Sequence, residues 1–129
     1  MTRYAIDAQV AVRLIRAGLR APSSADDTLV GPAVLRSDVL AALYALPEDQ
    51  GRALLDPLAA LRIRLLGDRV SRATAWRLAR ELGWSDPRPA EYLAVARLQA
   101  DVLVTADPAV LAAAEAVRIP TTDPAALVP

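Results

Sequence analysis

The stretch from Ala90 to Pro108, AEYLAVARLQADVLVTADP, constrains the fold more than any other. Glu91, Val95 and Leu98 recur at helical spacing, and Val102 to Thr105 is a short, mostly β-branched run that stops at Asp107-Pro108. A helix that feeds a buried strand is the building unit of an α/β sheet. Asp107 then falls just past the carboxyl end of its strand, where open α/β sheets gather their ligands. The chain opens with the same grammar, since Tyr4-Ala5-Ile6 is an apolar strand closed by Asp7, with a helical run from Val10 onward. Two strands thereby deliver two carboxylates to one sheet edge.

Between these ends the pattern is mainly helical. Ala8 to Leu19 reads as a helix with Val10, Leu14 and Ala17 near one face, weakened at its end by Gly18. Residues Ala21 to Thr28 have loop composition, and a second helix is predicted from Pro32 to about Ala45. On that helix Asp38 falls between Val34, Leu35 and Ala42, on the apolar side. A buried acid must be paired, hydrogen-bonded or bound to a cation. A third helix runs from Pro47 toward Leu61, with an interruption at Asp56-Pro57, and Ile63 to Leu66 reads equally well as an extended connector or a helix end.

Asp68 is a good N-cap for a helix from Arg69 to Leu82, which presents Val70, Leu78 and Leu82 opposite Arg69, Arg72 and Arg80 and ends at Gly83. After Asp107, a helix from about Val110 to Ala116 precedes an edge strand at Val117 to Pro120. This order implies an α/β fold: a three-layer α/β/α sandwich with a small, mostly parallel sheet, as one domain over residues 1–129. Asp-Pro occurs at Asp56, Asp86, Asp107 and Asp123, a pattern typical of an N-cap followed by proline in the first helical turn. For Asp56, Asp86 and Asp123 the capping reading is the expectation. For Asp7 and Asp107, which also end apolar strands, cap and ligand both remain open.

Composition decides which chemistry these acids can join. The 54% hydrophobic content argues against disorder, and no apolar run is long enough to span a membrane, so a soluble, cytoplasmic protein is expected. The chain has no Cys and no His, which excludes disulfides, thiolate and imidazole metal sites, Cys nucleophiles and every Ser-His-Asp triad. All fifteen basic residues are Arg, which excludes Schiff-base and P-loop lysine chemistry. Acid-base and metal chemistry fall to carboxylates, and carboxylates alone suit Mg²⁺ or Mn²⁺.

Asp7, Asp38 and Asp107, with Glu91 nearby, are therefore the candidate catalytic cluster, and the first three are the candidate metal ligands. Thr105, two residues before Asp107, would add a hydroxyl. Like charges so gathered call for a divalent cation, which can activate water and stabilise the leaving oxygen of a phosphodiester. Metal-dependent cleavage of nucleic acid is the indicated reaction.

Six arginines, at positions 62, 64, 69, 72, 77 and 80, fall in a segment whose only counter-charge is Asp68. Of these, Arg69, Arg72 and Arg80 are the candidate contacts to RNA phosphates, set against the plainer reading of a solvated helix face. Trp76 and Trp84 either stack on unpaired bases or pack in the core or a dimer contact.

At these residues the chain resembles the PIN-domain family, and specifically the small VapC-type toxin ribonucleases. RYAIDAQVAV is similar to the family's first strand and aspartate, GPAVLRSDVLAALY to its second acidic motif with Asp38 where Glu is usual, and EYLAVARLQADVLVTADPAVLAAA to its last helix, strand and aspartate. The resemblance spans nearly the whole chain. It implies a compact α/β/α fold, RNA cleavage dependent on Mg²⁺ or Mn²⁺, a homodimer, and a small antitoxin that blocks the site.

The family usually carries an Asp two residues before the position of Glu91, where this chain has Pro89. Proline binds no metal, and Glu91 lies about 200° further round the helix. Glu91 or Asp86 is left to supply that acid. Two functions follow: a metal-dependent endoribonuclease, the toxin of a toxin-antitoxin pair, or a catalytically degenerate PIN-like module that binds RNA or a protein partner without cleavage. A phosphatase or receiver domain would want an acid at Gln9 or a lysine after its third strand, and the chain has neither.

Overall fold

Adjacent strand residues point to opposite faces of a sheet, and here both are buried: Ala5 and Ile6, Leu29 and Val30, Leu103 and Val104. Strands of that kind need helices on both sides. The computed structural model, which describes residues 1–129, has this arrangement. Its elements are β1 (Arg3–Ile6), α1 (Ala8–Arg16), β2 (Thr28–Pro32), α2 (Leu35–Tyr44), α3 (Glu48–Arg52), α4 (Leu55–Ala60), β3 (Arg64–Leu66), α5 (Arg69–Leu82), α6 (Ala90–Gln99), β4 (Val102–Val104), α7 (Pro108–Ala116) and β5 (Thr121–Thr122). A short 3-10 turn, Pro124–Ala126, follows.

The five strands lie in the order β3-β2-β1-β4-β5, and every pairing is parallel. Ile6, Leu29 and Val104 face one core with Val10 and Leu14 of α1 and Leu35, Val39 and Leu43 of α2. Ala5, Val30 and Leu103 face the other with Leu78 of α5, Leu93 and Ala94 of α6 and Ala114 of α7. The result is the expected α/β/α sandwich. Strand order runs outward from β1 to β3, then jumps back to β4, so the chain reverses direction between β1 and β4. Ligands of open parallel sheets bind at the carboxyl ends of strands flanking such a reversal.

Several local expectations are corrected. Residues Thr28 to Pro32 form the strand β2, not the end of a loop and the start of a helix. Gly31 and Pro32 read as punctuation, but in the sheet Gly31 admits the Leu35 side chain, whose Cδ1 would lie 2.9 Å from a Cβ there. The N–H that Pro32 lacks is replaced at the next residue, where Ala33 donates to Leu66 O at 2.8 Å. Of the two readings for Ile63 to Leu66, the extended one holds, as β3.

The third helix breaks at Ala53-Leu54 rather than Asp56-Pro57, since Pro57 lies in the first turn of α4, where its missing N–H has no role. Asp56 is accordingly inside a helix and caps nothing. On α5 the buried face is Ser71, Thr74, Ala75, Leu78 and Ala79, and Val70 is turned outward at 57% exposure. The last strand is Thr121–Thr122 rather than Val117 to Pro120, because α7 ends in a left-handed residue, Arg118, that lets Ile119 N–H return to Ala114 O. No helix is long and apolar enough to cross a membrane.

Gly51 is buried in α3, and a Cβ there would collide with the Leu43 carbonyl oxygen. Backbone cannot yield as a side chain can, so the clash outweighs alanine's better helix propensity. Gly51→Ala should lower stability by about 1–3 kcal/mol, measurable by urea unfolding.

Candidate active site

Parallel pairing puts Ile6 of β1 beside Val104 of β4, so the next residues, Asp7 and Thr105, leave the sheet side by side at the chain reversal. Thr105 is almost fully buried, and its hydroxyl donates to Asp7 Oδ2 at 2.6 Å while accepting the Asp107 N–H at 3.1 Å. Each aspartate also caps a helix. Asp7 Oδ1 accepts from Val10 N at 2.9 Å at the start of α1, and Asp107 Oδ1 accepts from Ala109 N at 2.9 Å at the start of α7. The positive ends of two helix dipoles thus meet beneath two neighbouring carboxylates and offset part of their repulsion.

Asp38 reaches the same place from α2. Its side of the helix is exposed rather than apolar, contrary to the wheel, because α2 buries Leu35, Val39 and Leu43 instead. The Tyr92 hydroxyl donates to Asp38 Oδ2 at 2.6 Å. Burial, then that bond to the carboxylate, pushes the Tyr92 phenol far above its usual range, which keeps it a donor. Tyr92 was not singled out from the sequence, although the signal was present: it lies three residues after Pro89, on the same helix face.

Asp7, Asp38, Asp86, Asp107, Arg88, Pro89 and Tyr92 line one cleft of about 450 Å³. Asp86 is no helix cap, since α6 begins only at Ala90. It closes a turn by accepting the Arg88 N–H at 3.0 Å, and the Arg88 guanidinium holds it through Nη2 at 2.8 Å and Nε at 3.1 Å. That hydrogen bonding holds the Asp86 carboxyl below the usual range. Arg88 is the one basic side chain among the residues lining the cleft.

Glu91 does not line the cleft. It lies in an adjoining groove with Arg72, Ala75, Trp76, Pro87 and Arg88. Arg69, Arg72 and Arg80 are exposed on α5 and outside the cleft; Arg72 donates to Gly67 O at 2.9 Å, and Arg80 sits over the Trp76 ring, 4.9 Å from its centroid. Trp84 packs, partly buried, against the core beside α5 and α6.

A fold comparison places this arrangement beside a solved structure. Over 94% of this chain and 98% of the other, the protein superposes with a TM-score of 0.66 on a chain of the crystal structure of VapBC2 from Rickettsia felis bound to a DNA fragment from their promoter. The two share a fold. Identity between them is 12%, no family model matches the sequence, and no curated protein matches it.

Hard oxygen donors of this kind suit Mg²⁺ or Mn²⁺. Asp38 Oδ1 and Asp107 Oδ2 have no protein donor, so each has an oxygen to offer. As placed, no three acids are close enough to enclose an ion. Mg²⁺ does not need such a cage, because it commonly keeps several waters and takes one or two carboxylates together with substrate phosphates. The donor set fits an open site of that type.

Replacing Thr105 by valine leaves Asp7 Oδ2 and the Asp107 N–H without their shared partner. Thr105→Val should lower stability by about 1–3 kcal/mol in chemical denaturation, and Thr105→Ser, which keeps the hydroxyl, should recover most of it.

Proposed function

We propose that the protein is an endoribonuclease dependent on Mg²⁺ or Mn²⁺, the toxin of a toxin-antitoxin pair. The observation that carries this reading is the convergence of Asp7, Asp38 and Asp107, from three elements far apart in the chain, on one cleft at the reversal of a parallel sheet. The fold it shares with a VapBC2 chain supports the toxin part of the reading. On it, the protein works in the cytoplasm as a homodimer, cleaves RNA, and is held inactive by a small antitoxin.

Asp7 and Asp107, with Asp38 across the cleft, would hold the ion, which supplies an activated water and charge stabilisation at the phosphodiester. The chain's own residues do the positioning. Thr105 fixes Asp7 relative to Asp107, and Tyr92 fixes one oxygen of Asp38, leaving its other oxygen without a protein donor. Rigid donors of this sort remove the reorganisation that mobile carboxylates would require.

A second reading is favoured by a specific observation. Pro89 stands where the family has an acid, and Arg88 beside it brings a positive charge into the cleft, paired with Asp86. A degenerate module with this cleft would bind RNA or a protein partner without cleaving.

Incubation of the purified chain with labelled single-stranded RNA separates the two. Cleavage should appear with Mn²⁺ or Mg²⁺ and stop with chelator. Asp7→Asn and Asp107→Asn, which keep a capping oxygen, should lower turnover about a hundredfold or more, the range for removing a group acting at the reacting centre. Turnover that ignores both substitutions would refute the nuclease reading. Absent turnover with retained RNA binding, and activity gained in Pro89→Asp, would establish the second.

A further inference from the structure

We propose that the groove between α5 and the turn preceding α6, lined by Arg72, Ala75, Trp76, Pro87, Arg88 and Glu91, is a subsite for single-stranded RNA that holds the nucleotide next to the one in the acidic cleft, its base against Trp76. The inference rests on the reading of the cleft as an RNA site and adds a second binding position to it.

Trp76 is 57% exposed in a chain whose other tryptophan packs against the core. Large aromatics are usually mostly buried, so an indole presented to a groove calls for a partner. Arg80 lies over its ring and fixes its plane, which lowers the entropy lost when a base stacks there. The groove has about 230 Å³, a space on the scale of one nucleoside.

Arg88 lines both this groove and the cleft, so a phosphate joining two nucleotides, one in each, would meet its guanidinium. Its present partner is no obstacle: the Asp86–Arg88 pair is exposed, with side chains 43% and 80% accessible, and such pairs exchange readily. Arg72 adds a second guanidinium on the far side.

Glu91 lines this groove and not the cleft, and its carboxylate is an acceptor for an exocyclic amine, which cytosine carries and uracil lacks. The two guanidiniums among the lining residues, Arg72 and Arg88, favour a phosphate-bearing strand over a peptide.

The test uses the full chain carrying Asp107→Asn, to stop turnover, and Trp84→Phe, so that Trp76 is the sole tryptophan and can be excited selectively. With Mn²⁺ present, it is titrated with a 5′-labelled oligocytidine RNA. Quenching of Trp76 emission should follow the same midpoint as the anisotropy of the label. Trp76→Ala should weaken binding about tenfold or more, Trp76→Phe should restore most of it, and Arg88→Ala should weaken it as well. Should Trp84→Phe unfold the chain, by circular dichroism, the emission difference between the Trp84-containing chain and its Trp76→Phe variant gives the same readout.

RNA that binds while Trp76 emission and the Trp76→Ala affinity stay unchanged overturns the subsite and leaves the cleft reading standing. No RNA binding at all overturns both. Emission that responds to protein concentration and not to RNA marks this face as a contact between copies, and also overturns the subsite.

Discussion

The bond between the Thr105 hydroxyl and Asp7 is the contact on which the rest of the site depends. It joins the ends of β1 and β4, neighbours in space and 98 residues apart in the chain. Those two strands come together only because the chain first builds β2 and β3 on one side of β1, then crosses beneath the sheet through α5 and α6 to start again on the other side. α5 and α6 alone make that return, on the face opposite α1 and α2. α6 makes the crossing compact, because Ala90, Ala94 and Ala96 put small residues where it lies against the sheet and α5.

Charge is handled locally at each position. Asp7 and Asp107 sit on helix amino termini, Asp38 takes a phenol that burial keeps protonated, and Asp86 takes a guanidinium. Helix amino termini, a phenol and a guanidinium serve the four acids between them. The cleft therefore holds four carboxylates with no three of them gathered around a common point.

Much of this was legible in the chain. The apolar runs that end in Asp7 and Asp107 announced two strands and their edge, because a strand buried on both faces is a continuous apolar word and its end is marked by the first charge. β2 was hidden by Gly31 and Pro32, which local rules assign to turns and helix starts, whereas the sheet tolerated them for close approach and at a strand end. Asp38 was found, but its exposure was not, since a wheel gives relative angle and not which arc meets the core. Tyr92 was hidden because the carboxylate nearest Pro89 in the chain is Glu91, whereas the residue one helical turn on, and so on the same face, is Tyr92. The partner of Asp86 lay two residues away and needed a turn, which spacing alone does not reveal.

The capping bonds have a consequence for how sequences of this kind drift. On the proposed reading Asp7 and Asp107 each carry two duties, one toward an ion in the cleft and one toward the backbone of a helix. A lineage that abandoned the chemistry would still be under pressure to keep an oxygen at both places, so their persistence among relatives says little about turnover. Asp38 has no helix to hold, and its fate, together with that of Tyr92, is the better record of whether selection still guards the cleft.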